Sequence, residues 1–357
     1  MTKYTENPFS IIFGKEPAVA VERTQIMAEL TSDFSAQRPS QQVVLLTGVR
    51  GSGKSALTAQ IMKSFTEKKD WIVTDLLVEG DMLRDLLNRL TQSRRAKAVL
   101  SDAKIAVSAF GISAEIEPNK KRDPGIQLDE ILESLTRHEK RVLIVVDDVA
   151  PTPGMKTFAH YFHSCLMKDY NVFLVMNGVY DNIENLQNQK TLTFLQRAPK
   201  IELPPLNKQA VAQLYSEVFP FSDDCIQKLA GLTNGFAYAV QALGYLVWRN
   251  KSAEPSDCVD WKRVLPLYDN MLADGVYNKL WYDLSEKNKE LLSTLAGNDK
   301  NTTASAELLT QCGWAKAQLS SYKKELVRKG ILVNQRGYFT FALPRFREYI
   351  NSQLNFL

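Results

Sequence analysis

This 357-residue chain has no apolar run near the roughly 18 residues that a membrane-crossing helix needs, which excludes a transmembrane class. Its start, MTKYTENPFS, lacks the basic and then apolar stretch of a secretory signal, so the expected location is the cytoplasm. Cysteine is scarce: Cys165, Cys225, Cys258 and Cys312 form no CxxC pair and have no flanking histidine, so a zinc module is not expected and all four read as free thiols. The three histidines, His138, His160 and His163, make no HExxH. A charge excess is also missing. The 44 basic and 40 acidic residues leave +4, too little to imply nucleic acid, although residues 281–357 alone hold eleven basic and seven acidic side chains. No solenoid repeat or low-complexity tract is present.

With 45% apolar and 24% charged residues, the chain has ordinary globular composition and enough length for two or three modules. Five short apolar runs read as strands: QVVLLTG (42–48), WIVTDLLV (71–78), RVLIVVDDV (141–149), YNVFLVMNG (170–178) and KIELPPL (200–206). Helical patterns fall between most of them. The expected fold class is α/β, a parallel sheet flanked by helices, followed by an all-helical segment over 207–255 and a further module from 256 to 357. Residues 92–125 break this rhythm with basic ends around an alternating middle, and read as an inserted hairpin or mobile loop whose charges (Arg94, Arg95, Lys97, Lys120, Lys121, Arg122) are solvated or face a partner.

The most specific motif is GVRGSGKS. Gly48, Gly53, Lys54 and Ser55 satisfy G-x-x-x-x-G-K-S/T, placed after an apolar strand and before a helical pattern. A loop that wraps a phosphate needs its N–H groups turned inward and no side chain at the glycines, so Arg50, Gly51, Ser52 and Ala56 join the set that would line the cradle. Lys54 would reach the β- and γ-phosphates of ATP, and the Ser55 hydroxyl would hold Mg²⁺. A chance match in such a chain is expected on the order of once in a hundred, which makes an idle glycine turn the weaker reading. VLIVVDD supplies the second half: Asp147 ends a buried strand where it can hold the metal through water, and Asp148 is either a water-polarising carboxylate or an ordinary loop-end aspartate.

With NPFSIIFGKEPAVAVER upstream, FLVMNG, and FLQRAPKIELPPL before the helical segment, the order of motifs resembles the AAA+ ATPases, closest to origin-initiator-like members that border on the STAND signalling NTPases. The resemblance implies that Asn177 is a sensor orienting the lytic water or the γ-phosphate, with a plain strand-end asparagine as the competing reading. It implies that Arg197 is an arginine reaching a γ-phosphate, often across a subunit boundary, against a simple helix-end arginine. Pro17 to Arg23 resembles the segment packed on the adenine, with Glu22 where glycine is usual. Two departures stand out. Tyr238 occupies the place of the lid arginine of origin initiators, and Gly235, Phe236, Ala237 replace the glycine-x-proline of STAND proteins. Asp148 also replaces the glutamate common in fast AAA+ motors, so slow hydrolysis is expected.

At the C-terminus, LSEKNKELLSTLA, ASAELLTQCG and AKAQLSSYKKELVRKGI read as three helices before two strands around Gly337, a winged helix-turn-helix. Leu319, Tyr322, Leu326 and Val327 share an inward face, leaving Lys316, Gln318, Ser320, Lys323 and Lys324 outside, a face suited to duplex DNA, with Arg336 at the wing tip. A solvated or protein-docking surface is the alternative. The sequence therefore predicts a core over 1–206, a lid over 207–255 and a linker helix with winged helix over 256–357. The predicted activity is an ATPase whose ATP and Mg²⁺ control homo-oligomer assembly and DNA binding. The alternative is a nucleotide-gated switch that docks a protein partner.

Overall fold

A computed structural model describes residues 4–12, 17–102, 123–250, 257–298 and 302–354. They divide into two compact units. One comprises residues 23–47 and 54–202; the other comprises residues 1–22, 48–53 and 203–357.

The first unit is built on a five-stranded sheet: β1 (Val43–Thr47), β2 (Trp71–Leu76), β3 (Arg141–Val146), β4 (Val172–Gly178) and β5 (Lys200–Glu202). All pairs are parallel and the order is β2-β3-β4-β1-β5. Every residue of β1 and β4 is buried, as are five of the six in β3, because helices cover both faces. That double burial is why the strands read as continuous apolar runs. Strand periodicity then sorts the side chains. Val43, Leu45, Val142, Ile144, Val146, Leu174 and Met176 share one core with Leu86 and Leu90 of α3 (Met82–Gln92) and Phe158 and Phe162 of the helix at Pro153–Met167. On the other face Phe34, Phe65, Trp71 and Phe173 form a chain of rings 4.3–6.1 Å apart, anchoring α1 (Thr24–Ser35) and α2 (Lys54–Thr66). Helix starts are chemically marked: Asp123 accepts from the N–H groups of Gly125 and Ile126 ahead of α5 (Pro124–Arg137), and Thr152 accepts from Met155 N–H ahead of α6 (Pro153–Met167), each with proline in the first turn.

The expected hairpin or mobile loop begins instead as a helix, α4 (Arg94–Asp102), with Ala96, Val99 and Leu100 buried. Arg95 donates to the carbonyls of Thr66, Lys68 and Trp71 at 2.6–2.8 Å, so its charge closes the turn between α2 and β2 and is not offered to a partner. Lys120, Lys121 and Arg122 lie outside the described residues.

In the second unit, α9 (Lys208–Val218), α10 (Asp223–Gly231) and α11 (Ala237–Arg249) follow β5 and the short α7 (Tyr180–Gln187) and α8 (Phe194–Arg197) in chain order. Phe9 stacks on Phe219 at 5.6 Å and lies against Gly244, where a Cβ would approach the ring to 2.4 Å, so only glycine lets the ring sit there. Gln241 ties the same segment down, donating to Val19 O and accepting from Ser10 N–H. Next come α12 (Trp261–Leu272), a π-turn (Ala273–Tyr277) and α13 (Asn278–Tyr282). The last elements are α14 (Glu286–Ala296), β6 (Thr303–Ala304), α15 (Ser305–Cys312), α16 (Lys316–Arg328), β7 (Leu332–Gln335), β8 (Tyr338–Phe341) and α17 (Phe346–Leu354). The three strands form an antiparallel sheet in the order β6-β8-β7. Its hairpin turns on Arg336 and Gly337, both at positive φ (52° and 90°), the two-residue geometry that matches strand twist. Among the described residues no helix is long and apolar enough to cross a membrane.

One expectation is overturned here. Cys225 and Cys258 form a disulfide, with Cα atoms 5.4 Å apart, leaving Cys165 and Cys312 as free thiols. The packing of α10 brings together two cysteines whose 33-residue separation carried no spacing signal. Burial pushes the Cys165 thiol up to about 12, so it stays protonated and unreactive in the folded chain. Thiol titration of denatured, unreduced protein should count two groups, rising to four after reduction. Reduction should also cost roughly 3–4 kcal/mol of stability on the chain-entropy estimate for such a loop; four thiols without reductant would contradict the pairing.

Candidate functional site

The loop between β1 and α2 has the conformation that its glycines imply. Gly51 and Gly53 sit at φ +83° and +92°, and a Cβ on Gly48 would stand 2.6 Å from Ser52 Oγ. Ser52 N–H turns back to Val49 O at 3.1 Å. The chain enters α2 at Lys54, which is buried, so the positive end of the helix dipole follows directly on the loop.

At the carboxyl edge of the sheet, β4 lies between β1 and β3 and gathers the acidic tip with the start of α2. Ser55 Oγ donates to Asp147 Oδ1 at 3.1 Å. A hydroxyl beside a carboxylate is the hard-oxygen donor set that suits Mg²⁺, and Asp147 is solvent-facing. Asp148 takes a left-handed conformation, φ 51°. Its N–H is shared between Asp147 Oδ1 (3.1 Å) and Asn177 Oδ1 (3.2 Å), and Val149 N–H donates to Asn177 O at 2.8 Å, so this turn is held from two sides while the Asp148 side chain stays exposed. Non-glycine residues in this region concentrate at functional sites.

Asn177 is 1% exposed and both ends of its amide are engaged. Besides accepting from Asp148, it donates through Nδ2 to Thr58 Oγ1 at 2.7 Å, and Thr58 in turn donates to Lys54 O at 2.9 Å. The amide orientation is fixed by its neighbours, because a flipped amide would set an NH₂ against the Asp148 N–H. Thr58 was invisible in the sequence: its partner comes from a strand 119 residues away. Arg197 is exposed. Leu45 N–H donates to Pro199 O at 2.9 Å, so Arg197 sits on the amino-terminal side of β1, the opposite end from Ser55 and Asp147. There it lines an open cleft of about 290 Å³ with Gln42, His163 and Phe194, the last two stacked at 4.8 Å. Arg23 immediately precedes α1, half-buried, with its guanidinium pKa lowered by burial.

Residues 20–152, which include Arg23, the glycine loop, Asp147 and Asp148, match the family described as "AAA ATPase domain". This segment is an AAA ATPase domain. Residues 274–350 match a domain of unknown function, DUF8462. Among solved structures, the Walker-type ATPase of Pyrococcus abyssi is 15% identical, with 93% of this chain and 96% of that one covered and a TM-score of 0.60. The ORC2 protein of Aeropyrum pernix, in ADPNP and ADP complexes, is 12% identical over 97% of both chains, with a TM-score of 0.61. The TM-scores establish a shared fold, that of P-loop NTPases, and the five-stranded parallel sheet agrees with it. No curated protein matches the chain.

Within the second unit, α11 touches residues 48–53. Tyr238 N–H donates to Gly51 O at 3.0 Å, and the Phe236 ring lies where a Gly51 side chain would be, 2.6 Å from that Cβ position. The Tyr238 hydroxyl donates to Met271 O at 3.2 Å, and its ring covers Gly275 of the π-turn, whose Val276 also borders Gly51. Beyond it, the predicted outward face of α16 is correct for Lys316, Gln318 and Lys324, all exposed, and for buried Leu319 and Leu326. Lys323 differs. Its ammonium bonds Ser305 Oγ and lies over the Phe339 ring at 4.8 Å, and burial lowers its pKa, so it braces α16 against the small sheet. Arg336 is exposed at the hairpin tip.

Because aspartate and asparagine both tolerate the left-handed region, Asp148→Asn should leave stability within about 0.5 kcal/mol. Asp148→Val should cost about 1–2 kcal/mol. Equal melting temperatures for the two variants would show that the turn is not held at positive φ.

Proposed function

We propose that the chain binds ATP with Mg²⁺ at the glycine loop, hydrolyses it slowly, and uses occupancy to control self-assembly and duplex DNA binding. The observation that carries this is the convergence of Ser55 and Asp147, 3.1 Å apart, at the end of a loop with two left-handed glycines. In this reading Gly48, Arg50, Gly51, Ser52, Gly53 and Ala56 line the phosphates, and Lys54 neutralises the β- and γ-phosphates. Ser55 and Asp147 hold the metal, Asp148 polarises the attacking water, and Arg23 lies near the base. Bound magnesium would supply positive charge that offsets the negative charge developing during transfer. The reach of Asp148 is one methylene shorter than that of a glutamate, which is the reason for slow turnover.

Arg197 stands at the far end of β1 from Ser55. With about 3.3 Å of rise per residue, the five-residue strand between the two ends is itself about 13 Å long. An arginine so placed serves a nucleotide held by another copy. The C-terminal helices and β6-β8-β7 sheet have the make-up of a winged helix, with Lys316, Gln318, Lys324 and Arg336 facing a duplex. Arg336 adopts a strained left-handed turn position that asparagine or glycine would fill at lower cost.

A second reading is favoured by the Tyr238 contacts. One residue touches the loop carbonyl through its amide and the π-turn before the C-terminal module through its phenol, as a nucleotide-gated switch that docks a protein partner requires. Duplex binding separates the two. DNA-stimulated hydrolysis, with a salt slope that falls by about 1 when Lys324 is neutralised, supports the first reading, and a monomer indifferent to DNA supports the second.

For the site itself, calorimetry should register Mg-ATP binding to the wild-type chain and none to Lys54→Ala; equal affinities would end the assignment. Mixing Arg197→Ala with Lys54→Ala should restore part of the ATPase activity that each lacks alone. Failure of any rescue would remove action between copies.

A further inference from the structure

We propose that Thr58 is a positioning residue for the reaction at Asp148, acting through Asn177. The inference rests on the reading of Asp148 as the water-polarising carboxylate. The hydrogen-bond chain is continuous: Thr58 Oγ1 donates to Lys54 O at 2.9 Å, Asn177 Nδ2 donates to Thr58 Oγ1 at 2.7 Å, and Asp148 N–H donates to Asn177 Oδ1 at 3.2 Å. Thr58 is 3% exposed and Asn177 1%, so both links lie away from bulk water.

The direction of each bond is forced. Thr58 spends its single proton on Lys54 O, which leaves its oxygen free to accept, and that fixes the Asn177 amide with its oxygen toward Asp148. The alternative acceptor for the Asp148 N–H is Asp147 Oδ1, and that oxygen already accepts from Ser55. Once Ser55 and Asp147 are committed to a metal, Asn177 is the support that keeps the Asp148 turn at its positive φ. Removing the Thr58 hydroxyl would strand the Asn177 NH₂ in a dry site, and a flip cannot relieve it because the NH₂ would then face the Asp148 N–H. The asparagine must move, and the turn loses its brace. Lys54, whose carbonyl anchors the chain, is the residue that meets the phosphates in the proposed function, so the same relay joins the loop helix to the acidic tip.

The test uses the full chain with Thr58→Val, which keeps the shape and removes the hydroxyl, and Thr58→Ser, which keeps the hydroxyl. Without nucleotide, amide hydrogen exchange at Asp148 and Val149 should accelerate about tenfold in Thr58→Val and stay at the wild-type rate in Thr58→Ser. With Mg-ATP, kcat should fall about tenfold in Thr58→Val at unchanged KM and ATP affinity, and Thr58→Ser should restore it. Unchanged exchange at Asp148 in a folded Thr58→Val protein overturns the proposal, as does a change in KM alone. If the wild-type chain binds ATP without turning it over, the hydrolysis reading fails by itself and the exchange experiment still decides the role of Thr58. Should Thr58→Val not fold, the decision passes to Thr58→Ala, which removes the same hydroxyl without a branched side chain, and wild-type exchange at Asp148 there overturns the relay.

Discussion

The placement of β4 between β1 and β3 is the constraint on which the candidate chemistry depends. A parallel sheet sends every strand's carboxyl end to the same edge, and this order sets Asn177 between the helix that carries Ser55 and Thr58 and the tip that carries Asp147 and Asp148. Neither the 3.1 Å approach of Ser55 to Asp147 nor the buried relay through Asn177 would exist with β4 elsewhere. The aromatic layer of Phe34, Phe65, Trp71 and Phe173 on one face and the aliphatic layer on the other make this order costly to change. Each fully buried ring contributes on the order of 2–3 kcal/mol.

The loop answers to two sets of contacts. Its glycines adopt backbone angles that other residues resist, while Gly51 meets the Phe236 ring and the Tyr238 amide. Gly51 is therefore constrained twice, by its positive φ and by an aromatic ring in the space a side chain would need. Through Tyr238 that contact extends to Met271 and Gly275, where the helical ladder widens into a π-turn, a local irregularity that often accompanies function.

Much of this was legible in the sequence for a simple reason. Strands buried on both sides must be apolar throughout, so Val142 to Val146 announced itself, and the spacing of Gly48, Gly53 and Lys54 marked the glycine loop. Contacts between distant segments were not legible. Helical periodicity set Lys323 outward, yet the Phe339 ring and the Ser305 hydroxyl draw it in. Nothing in the spacing of Cys225 and Cys258 foretold their bond, a two-residue strand such as β6 leaves no pattern, and Thr58 gains its importance from a strand more than a hundred residues on.

The disulfide encloses α11 within a covalent ring that starts on α10 and ends two residues before Asp260, the cap of α12. Helices inside such a ring lose much of their freedom to slide past one another. The tether outlasts the helices: when α10 and α11 melt, the segment that carries Tyr238 still begins and ends at one covalent junction, which limits how far it can stray.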